Sequence, residues 1–189
     1  MDVILLAAVF SRRFGAPVPK PFVKIAGKPL IFYPLFTLQR SKLIDRIVVV
    51  ISPEAGGMFS SVRNRYLKKI TKITAVVHGG KERQDSVYNG LKFLSDTGHG
   101  EIVAIHDAAR PFLKEELLET LNIAALETGG AAPGIKVVDT IKSVDGNSIV
   151  SGHLRRDELR AIQTPQVFVF DKLFDAYNGV IASGVNFTD

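Results

Sequence analysis

The chain has 189 residues, of which 46% are hydrophobic and 23% are charged, and its formal net charge is +5. This length suits one globular domain, because such a chain buries roughly 70% of the surface that its unfolded state exposes. The lack of cysteine excludes a disulfide framework, a thiolate metal site and a cysteine nucleophile, and it fits a reducing cytoplasm. Basic residues are dispersed, whereas nucleic-acid binding favours a basic stripe with interleaved aromatics.

Four apolar runs rich in β-branched residues predict the strands of a mostly parallel sheet that is covered on both faces. They lie at residues 3–10, 46–52, 73–77 and 101–106. The first run is much shorter than the about 20 residues of a membrane span, and it lacks the basic region and cleavage site of a signal peptide. It therefore predicts a buried strand, and we expect neither a membrane nor a nucleic acid as a partner.

Amphipathic patterns between these runs predict helices near residues 54–69, 84–95 and 114–128. Apolar residues in the last two recur at spacings of three and four, which places them on one helix face. The predicted buried positions are Val87, Leu91 and Leu94 in one helix and Leu117, Leu121 and Ala124 in the other. A further helix is expected after Pro29, which we interpret as a first-turn proline, although Pro34 interrupts that pattern.

Residues 136–156 depart from this alternation. Two short strand patterns flank Asp145-Gly146-Asn147, which predicts a hairpin that projects from the main sheet as an arm. The rest contains no repeat, low-complexity tract or linker, so we expect a single domain over residues 1–189. The final residues, GVNFTD, read as the beginning of another element, and we expect the natural chain to continue beyond them.

Four polar stretches follow the predicted strands, at residues 7–20, 78–86, 105–112 and 163–168. Ligands of open α/β sheets bind outside the carboxyl ends of the strands, so these stretches are expected to converge on one site. The first stretch carries Arg12, Arg13 and Lys20, and basic residues at loop ends favour a small phosphorylated ligand. The sequence has no Walker A motif, no GxGxxG, no GxSxG elbow and no zinc-type histidine pair.

Asp107 is the one acid at a strand end among several loop cations. A lone carboxylate in that setting suggests Mg²⁺ bridging substrate phosphates, because this ion keeps few protein ligands. The cations would neutralise charge on a phosphoryl group during an in-line displacement. A phosphate monoester, with a second pKa of about 6, would be an anionic nucleophile at neutral pH without any general base.

The motifs AA-x-x-x-x-RR…PK, GG-x-ER-x-DSV, HDAARP, DT-x-K, R-x-x-L and TPQ occur in this order over the whole chain. In this the chain resembles the cytidylyltransferases that make 4-diphosphocytidyl-2-C-methyl-D-erythritol in the non-mevalonate isoprenoid pathway. The resemblance implies a Rossmann-like, nucleotide-diphosphosugar-transferase type of α/β fold. It also implies transfer of a cytidylyl group from CTP to 2-C-methyl-D-erythritol 4-phosphate with release of pyrophosphate. Mg²⁺ or another divalent cation would assist, in the cytoplasm or, if a transit peptide was removed, in a plastid-type organelle.

The resemblance also implies roles for individual residues. Arg13 and Lys20 would be catalytic, by gripping the CTP phosphates and stabilising the five-coordinate α-phosphorus. The nucleotide-binding residues would be Ala7, Ala8, Gly80, Arg83 and Ser86. Asp107 would hold the metal and contact the second substrate, and Arg110 would orient the loop that carries it. The remaining residues for the polyol phosphate would be Thr140, Arg156 and Thr164. The arm would cross a homodimer, so that Thr140 and Arg156 complete the neighbour's site.

Three positions depart from the family pattern. Val9 and Ser11 stand where glycines are expected, and a β-branched valine adds bulk beside the phosphates. Lys81 occupies a position that is often acidic, and a late substrate-binding lysine has no counterpart in this chain. Two alternatives therefore stay open: a ribitol-5-phosphate cytidylyltransferase, and a CTP-binding protein with impaired turnover.

Overall fold

A computed structural model describes residues 1–8 and 18–183 of the chain. Its main element is a six-stranded sheet with the strand order β5-β4-β1-β6-β12-β7. The strands are β1 (Asp2–Ala7), β4 (Arg46–Ile51), β5 (Ile73–His78), β6 (Ile102–Asp107), β7 (Gly130–Ala131) and β12 (Gln166–Val169). The four predicted strands are confirmed as β1, β4, β5 and β6, and they pair in parallel. Beyond β6, β12 lies between β6 and the edge strand β7 and runs antiparallel to both.

The centre of the sheet is apolar on both faces, as expected of parallel strands covered by helices. Every residue of β1 is buried, and its alternating side chains belong to two separate cores. Leu5 lies in the core on one face, and Leu6 lies in the core on the other. The sequence pattern of unbroken apolar runs follows from this burial on both sides.

In the described part of the chain, five α-helices pack on the two faces of the sheet. They are α1 (Phe32–Arg40), α2 (Gly56–Tyr66), α3 (Arg83–Thr97), α4 (Glu115–Thr128) and α5 (Phe170–Ser183). Apolar residues of α1, α2 and α4 belong to one core, whereas α3 and α5 supply the other. This three-layer α/β architecture is the fold class that the sequence predicts.

The buried face of α3 is confirmed, since Val87, Leu91 and Leu94 are all fully buried. In α4 Leu121 is confirmed as buried, whereas the prediction was wrong for Leu117 and Ala124, which are only partly buried. There the buried residues are Leu118, Leu121 and Ala125, at the same spacings of three and four. Leucines at both 117 and 118 make the apolar pattern broad, so its periodicity alone does not define the face that meets the sheet.

The prediction for the helix after Pro29 was also partly wrong. Pro29 lies in β3 (Lys28–Pro29), which pairs with β2 (Lys24–Ile25). Pro34 is the residue in the first turn of α1. A proline is tolerated there, because the first amides of a helix have no partner within it.

The arm is built from short strands outside the main sheet. The predicted hairpin is present as β9 (Lys142–Val144) and β10 (Val150–His153), joined through Asp145-Gly146-Asn147. The Asp145 side chain accepts hydrogen bonds from the backbone amides of Asn147 and Ile149, which fixes the turn. A second antiparallel pair, β8 (Gly134–Lys136) with β11 (Arg160–Ile162), flanks this hairpin in sequence. None of the helices in the described ranges has the length and apolar character needed to cross a bilayer.

Candidate active site

The carboxyl ends of β1 and β6 lie side by side and form the floor of a cavity. The parallel register pairs Leu6 of β1 with Asp107 of β6. The cavity has a volume of about 310 Å³, and its lining residues are Leu6, Lys20, Pro21, Arg83, Asp107, Ala109 and Arg110. Three of the four stretches that were predicted to converge therefore meet at this cavity. The fourth reaches it through hydrogen bonds, although residues 9–17 of the first lie outside the described part of the chain.

Asp107 lies between two guanidinium groups. Arg110 donates from Nε to one carboxylate oxygen at 3.0 Å, and Nε of Arg83 lies 3.6 Å from the other. All three side chains are partly exposed. With Lys20, the described residues that line the cavity include three cations and one carboxylate, an excess of positive charge that attracts anions such as phosphates.

Two glutamines hold these arginines in place. Arg83 donates from Nη2 to Gln166 at 3.0 Å, and Arg110 donates to the side-chain oxygen of Gln163. Both glutamines lie in the stretch 163–168, although neither was predicted individually as a site residue. The available signal was a glutamine on each side of the Thr164-Pro165 pair, Gln163 directly before it and Gln166 directly after it.

Lys20 begins a short 3₁₀ turn, Lys20–Phe22, whose two later residues are buried. Pro19 and Pro21 flank it and restrict the backbone, so the position of Lys20 is set by a stiff segment. Arg13, its predicted catalytic companion, lies outside the described residues, as do Val9 and Ser11. The placement of Lys20 in the cavity agrees with a role in binding phosphate.

The Gly79-Gly80 turn packs closely against neighbouring loops. A Cβ on Gly79 would lie 2.5 Å from Cβ of Ala8 and 2.6 Å from Oγ of Ser86. Buried Ser86 accepts a hydrogen bond from the Gly80 amide at 3.2 Å and donates to the Glu82 carbonyl oxygen at 3.2 Å. In this structure Ser86 therefore fixes the turn at the start of α3, where Glu82 and Asp85 form a capping box.

The predicted nucleotide-binding residues lie at the same edge of the sheet, but they differ in their surroundings. Arg83 lines the cavity, whereas Ala7 is buried in β1 and Ala8 packs on the Gly79-Gly80 turn. The exposed Lys81 follows that turn. Their binding roles stay predictions.

Two of the predicted polyol-phosphate residues are on the arm and do not line this cavity. Thr140 is exposed, and Arg156 donates from Nη1 to the Val138 carbonyl oxygen at 3.1 Å. Thr164, by contrast, lies directly beneath the cavity, where its Oγ1 accepts a hydrogen bond from the Asp107 amide at 3.2 Å. The structure thus brings Thr164 together with Asp107 and leaves Thr140 and Arg156 apart from them within one chain.

His106 is buried immediately before Asp107 and contacts Thr164 and the Arg110 carbonyl oxygen. Burial lowers the pKa of His106 to about 4, against the opposing effects of the Arg110 carbonyl and the Asp107 charge. The ring is therefore neutral at pH 7. Its burial and its hydrogen bonds fit a structural role for this strand-end histidine.

The comparisons with known proteins agree with one another. The model of the 2-C-methyl-D-erythritol 4-phosphate cytidylyltransferase (IspD) family matches residues 1–189. The chain is 40% identical over 188 residues to the enzyme of that name from Geobacillus thermodenitrificans, covering 100% of this chain and 80% of the relative. It is 36% identical over 187 residues to that of Clostridium novyi, covering 98% and 79%.

Solved structures are similar throughout the fold. The 4-diphosphocytidyl-2C-methyl-D-erythritol synthase of Anaerococcus prevotii superposes with a TM-score of 0.81 at 28% identity, covering 100% of this chain and 78% of that one. The fold, the cation-lined cavity and these matches define a nucleotidyltransferase. More narrowly, the chain belongs to the 2-C-methyl-D-erythritol 4-phosphate cytidylyltransferase family.

Proposed function

We propose that the cavity at the ends of β1 and β6 is where this chain transfers a cytidylyl group from CTP to 2-C-methyl-D-erythritol 4-phosphate. The observation that carries this proposal is the Asp107 carboxylate, set between Arg83 and Arg110 with Lys20 in the same cavity. The family match supplies the substrates, and the curated relatives described above bear the same activity in their names. The ribitol-5-phosphate alternative is not favoured by these matches.

In this reaction a phosphate oxygen of methylerythritol phosphate forms a bond to the α-phosphorus of CTP. The bond between that phosphorus and the oxygen bridging to the β-phosphate breaks, and pyrophosphate leaves. The nucleophile is a phosphate monoester and is mostly dianionic at neutral pH, so no side chain has to remove a proton from it. The protein therefore contributes positioning and positive charge, which are the main requirements of phosphoryl-type transfer.

Lys20 is the cavity cation whose placement by a stiff backbone segment best suits transition-state stabilisation. Negative charge spreads over the oxygens around the α-phosphorus as the reaction proceeds, and a preorganised ammonium group stabilises it. Arg83 and Arg110 have a second role, because they also hold Asp107. Nucleotide phosphates entering the cavity compete with the Asp107 carboxylate for both guanidinium groups, since guanidinium binds either anion.

Mg²⁺ is part of the proposal, with Asp107 as its protein ligand. The described residues contain no cluster of three or more acidic, histidine or cysteine side chains that could hold a metal alone. One partly exposed carboxylate on the cavity fits an ion held chiefly by substrate phosphates, which is the usual arrangement for Mg²⁺. When bound, the ion would neutralise charge on the phosphates. The Asp107 carboxylate has about four lone-pair sites, so it can bind such an ion while it contacts the two arginines.

A homodimer formed through the arm is the second part of the proposal. Several large apolar side chains of the arm are exposed: Ile135, Val138, Val144, Ile149, Val150 and Ile162. Exposed apolar side chains on a projecting arm favour contact with a protein partner. The separation of Thr140 and Arg156 from the cavity of their own chain supports a role for them in the neighbour's site.

The reaction is tested by measuring pyrophosphate release from CTP and Mg²⁺, with methylerythritol phosphate and ribitol 5-phosphate offered separately. We expect release with methylerythritol phosphate. Release with ribitol 5-phosphate alone would contradict the proposal. CTP binding without release from either acceptor would instead support the impaired-turnover alternative, and restoring glycine at Val9 and Ser11 would then test whether that loop is the cause.

The shared site is tested by mixing two inactive variants, Lys20→Ala and Arg156→Ala, during refolding. In a mixed dimer, one site combines the intact Lys20 of one chain with the intact Arg156 of the other. Half of the dimers would be mixed, and each would contain one intact site in two, so about a quarter of wild-type activity should return. Two variants that stay inactive together, although their mixture is dimeric, would show that the arm does not complete the neighbour's site.

A further inference from the structure

A buried hydrogen-bond chain joins the two loops under Asp107. His106 is 1% exposed, and its Nδ1 lies 3.0 Å from Oγ1 of Thr164. Its Nε2 lies 3.1 Å from the carbonyl oxygen of Arg110. The backbone amide of Asp107 donates to the same Thr164 oxygen at 3.2 Å. His106 thus connects both ends of the segment 107–110 to the loop that contains Thr164.

The hydrogens of this chain have one consistent arrangement. A carbonyl oxygen can only accept, so the hydrogen of the neutral His106 ring is on Nε2 and is donated to Arg110. Nδ1 is then an acceptor, and the Thr164 hydroxyl is the group that donates to it. Because the amide of Asp107 can only donate, the Thr164 oxygen accepts from it. Each of these polar hydrogens is therefore donated to an acceptor within the protein.

We propose that His106 is a positioning residue for the transfer reaction, acting through Thr164 and the Arg110 carbonyl to fix the backbone of residues 107–110. The inference rests on the proposed function, because the groups that His106 would position are the Asp107 carboxylate and the Arg110 guanidinium of that site. The segment carries both Asp107 and Arg110, so a shift of its backbone moves a carboxylate and a guanidinium group of the cavity together. Displacement by about 1 Å at a reacting centre is enough to lower a rate about a hundredfold.

The same arrangement defines what Thr164 offers to a ligand. Its single hydroxyl hydrogen is donated inward to His106, so it has no hydrogen left for a phosphate oxygen, which can only accept. The sequence led us to expect Thr164 among the residues that bind the polyol phosphate. In the arrangement proposed here Thr164 instead supports the Asp107 amide, and phosphate binding is left to cations.

Kinetics of variants separate a positioning role from a substrate-binding one. Thr164→Val removes the hydroxyl with little change of shape, and it is expected to lower kcat at least tenfold while KM for methylerythritol phosphate changes by less than threefold. His106→Ala is expected to behave in the same way. Because both substitutions interrupt the same series of hydrogen bonds, the double variant should lose little more activity than either single variant. His99→Asn, at the opposite edge of the sheet near the start of β1, is the matched histidine control and should retain wild-type kcat.

Conservative substitutions test the two hydrogen bonds of the ring individually. His106→Asn places an acceptor near the position of Nδ1, and His106→Gln places a donor near that of Nε2. Each is expected to recover part of the kcat lost in His106→Ala. Circular dichroism and thermal unfolding identify any variant that fails to fold. If His106→Ala does not fold, the near-isosteric Thr164→Val variant still allows the kinetic test.

Nitrogen-15 NMR of the His106 ring gives a readout that is independent of turnover. A protonated Nε2 and an unprotonated Nδ1 at neutral pH are expected. The opposite tautomer, an additive double variant, or a Thr164→Val effect confined to KM for the polyol phosphate would overturn the inference. Turnover of the wild-type protein tests the proposed function itself. An inactive wild type whose His106 ring has the expected tautomer would contradict the proposed reaction but not the described hydrogen bonds.

Discussion

Gly79 is the position where the packing of the site can be tested most directly. It continues the strand pairing of the sheet, since its amide donates to the Ile51 carbonyl oxygen at 2.8 Å. It also touches the loops that follow β1 and begin α3. Gly79→Ala would place a methyl group 2.5 Å from Cβ of Ala8 and 2.6 Å from Oγ of Ser86. Carbon atoms pack at about 3.5–4.0 Å, so the backbone near Ala8 has to retreat by about 1 Å.

The expected cost follows from this overlap. The Ser86 hydroxyl is held by two hydrogen bonds, and the Ala8 Cβ has no freedom to rotate away. Overpacking of this kind destabilises a protein by about 1–3 kcal/mol. At about 2–4 °C per kcal/mol for a chain of this size, we expect Tm to fall by roughly 4–8 °C for a cost near 2 kcal/mol. KM for CTP should rise, because the retreating loop is the one predicted to face the nucleotide.

Thermal unfolding and CTP kinetics of Gly79→Ala provide the assay. Ala8→Gly is the matched compensating change, since it removes the closest atom, and the double variant should recover part of the lost Tm. Gly57→Ala is the control: no atom lies within 4 Å of its Cβ, and alanine favours the helix by up to about 1 kcal/mol. If Gly79→Ala left both Tm and KM unchanged, the close packing described for this turn would be refuted.

Three further predictions concern a catalytic cation and two buried ionisable groups. Lys20→Ala should raise the barrier by about 3 kcal/mol or more, read as a loss of roughly a hundredfold or more in kcat, and near-normal turnover would remove Lys20 from the catalytic residues. The Asp2 carboxylate accepts hydrogen bonds from Arg46 Nε at 2.8 Å, from Arg46 Nη2 at 2.7 Å and from the Gly100 amide at 2.8 Å. Burial raises the pKa of Asp2, but these bonds and the charge of Arg46 outweigh that effect, so the pKa is lowered overall. Asp2→Ala should therefore cost about 2–3 kcal/mol in urea unfolding at pH 7, and this difference should narrow as the pH falls through the lowered pKa, because wild type loses the same interaction there. Burial lowers the pKa of His106 to about 4, against 6.5 in the unfolded chain, so the unfolded state binds a proton more readily between these values. The free energy of unfolding should therefore fall by on the order of 3 kcal/mol as the pH is lowered from 6.5 to 4. A His106→Gln protein that loses as much stability over this range would contradict the prediction.

The sequence by itself determined the elements whose residues meet a local requirement. Unbroken apolar runs can be buried on both faces, and that requirement predicted β1, β4, β5 and β6. A single apolar face at helical spacing predicted the buried side of α3. The Asp145-Gly146-Asn147 turn predicted the hairpin, because the Asp145 side chain can bond to its own turn. The ordered motifs were specific enough to indicate the family, which the comparisons confirm.

The tertiary structure alone decided how distant segments meet. Nothing local to residues 166–169 indicates that β12 runs antiparallel between β6 and β7. That placement brings Thr164 to His106 across 58 residues and Gln166 to Arg83 across 83. The sequence therefore indicated Asp107, Arg83 and Arg110 as site residues, but it did not show that both arginines flank the Asp107 carboxylate or that His106 and Thr164 lie beneath it. The physical reason is that periodicity records which side of an element is buried, whereas the partners of a side chain depend on which strands become neighbours in the folded sheet.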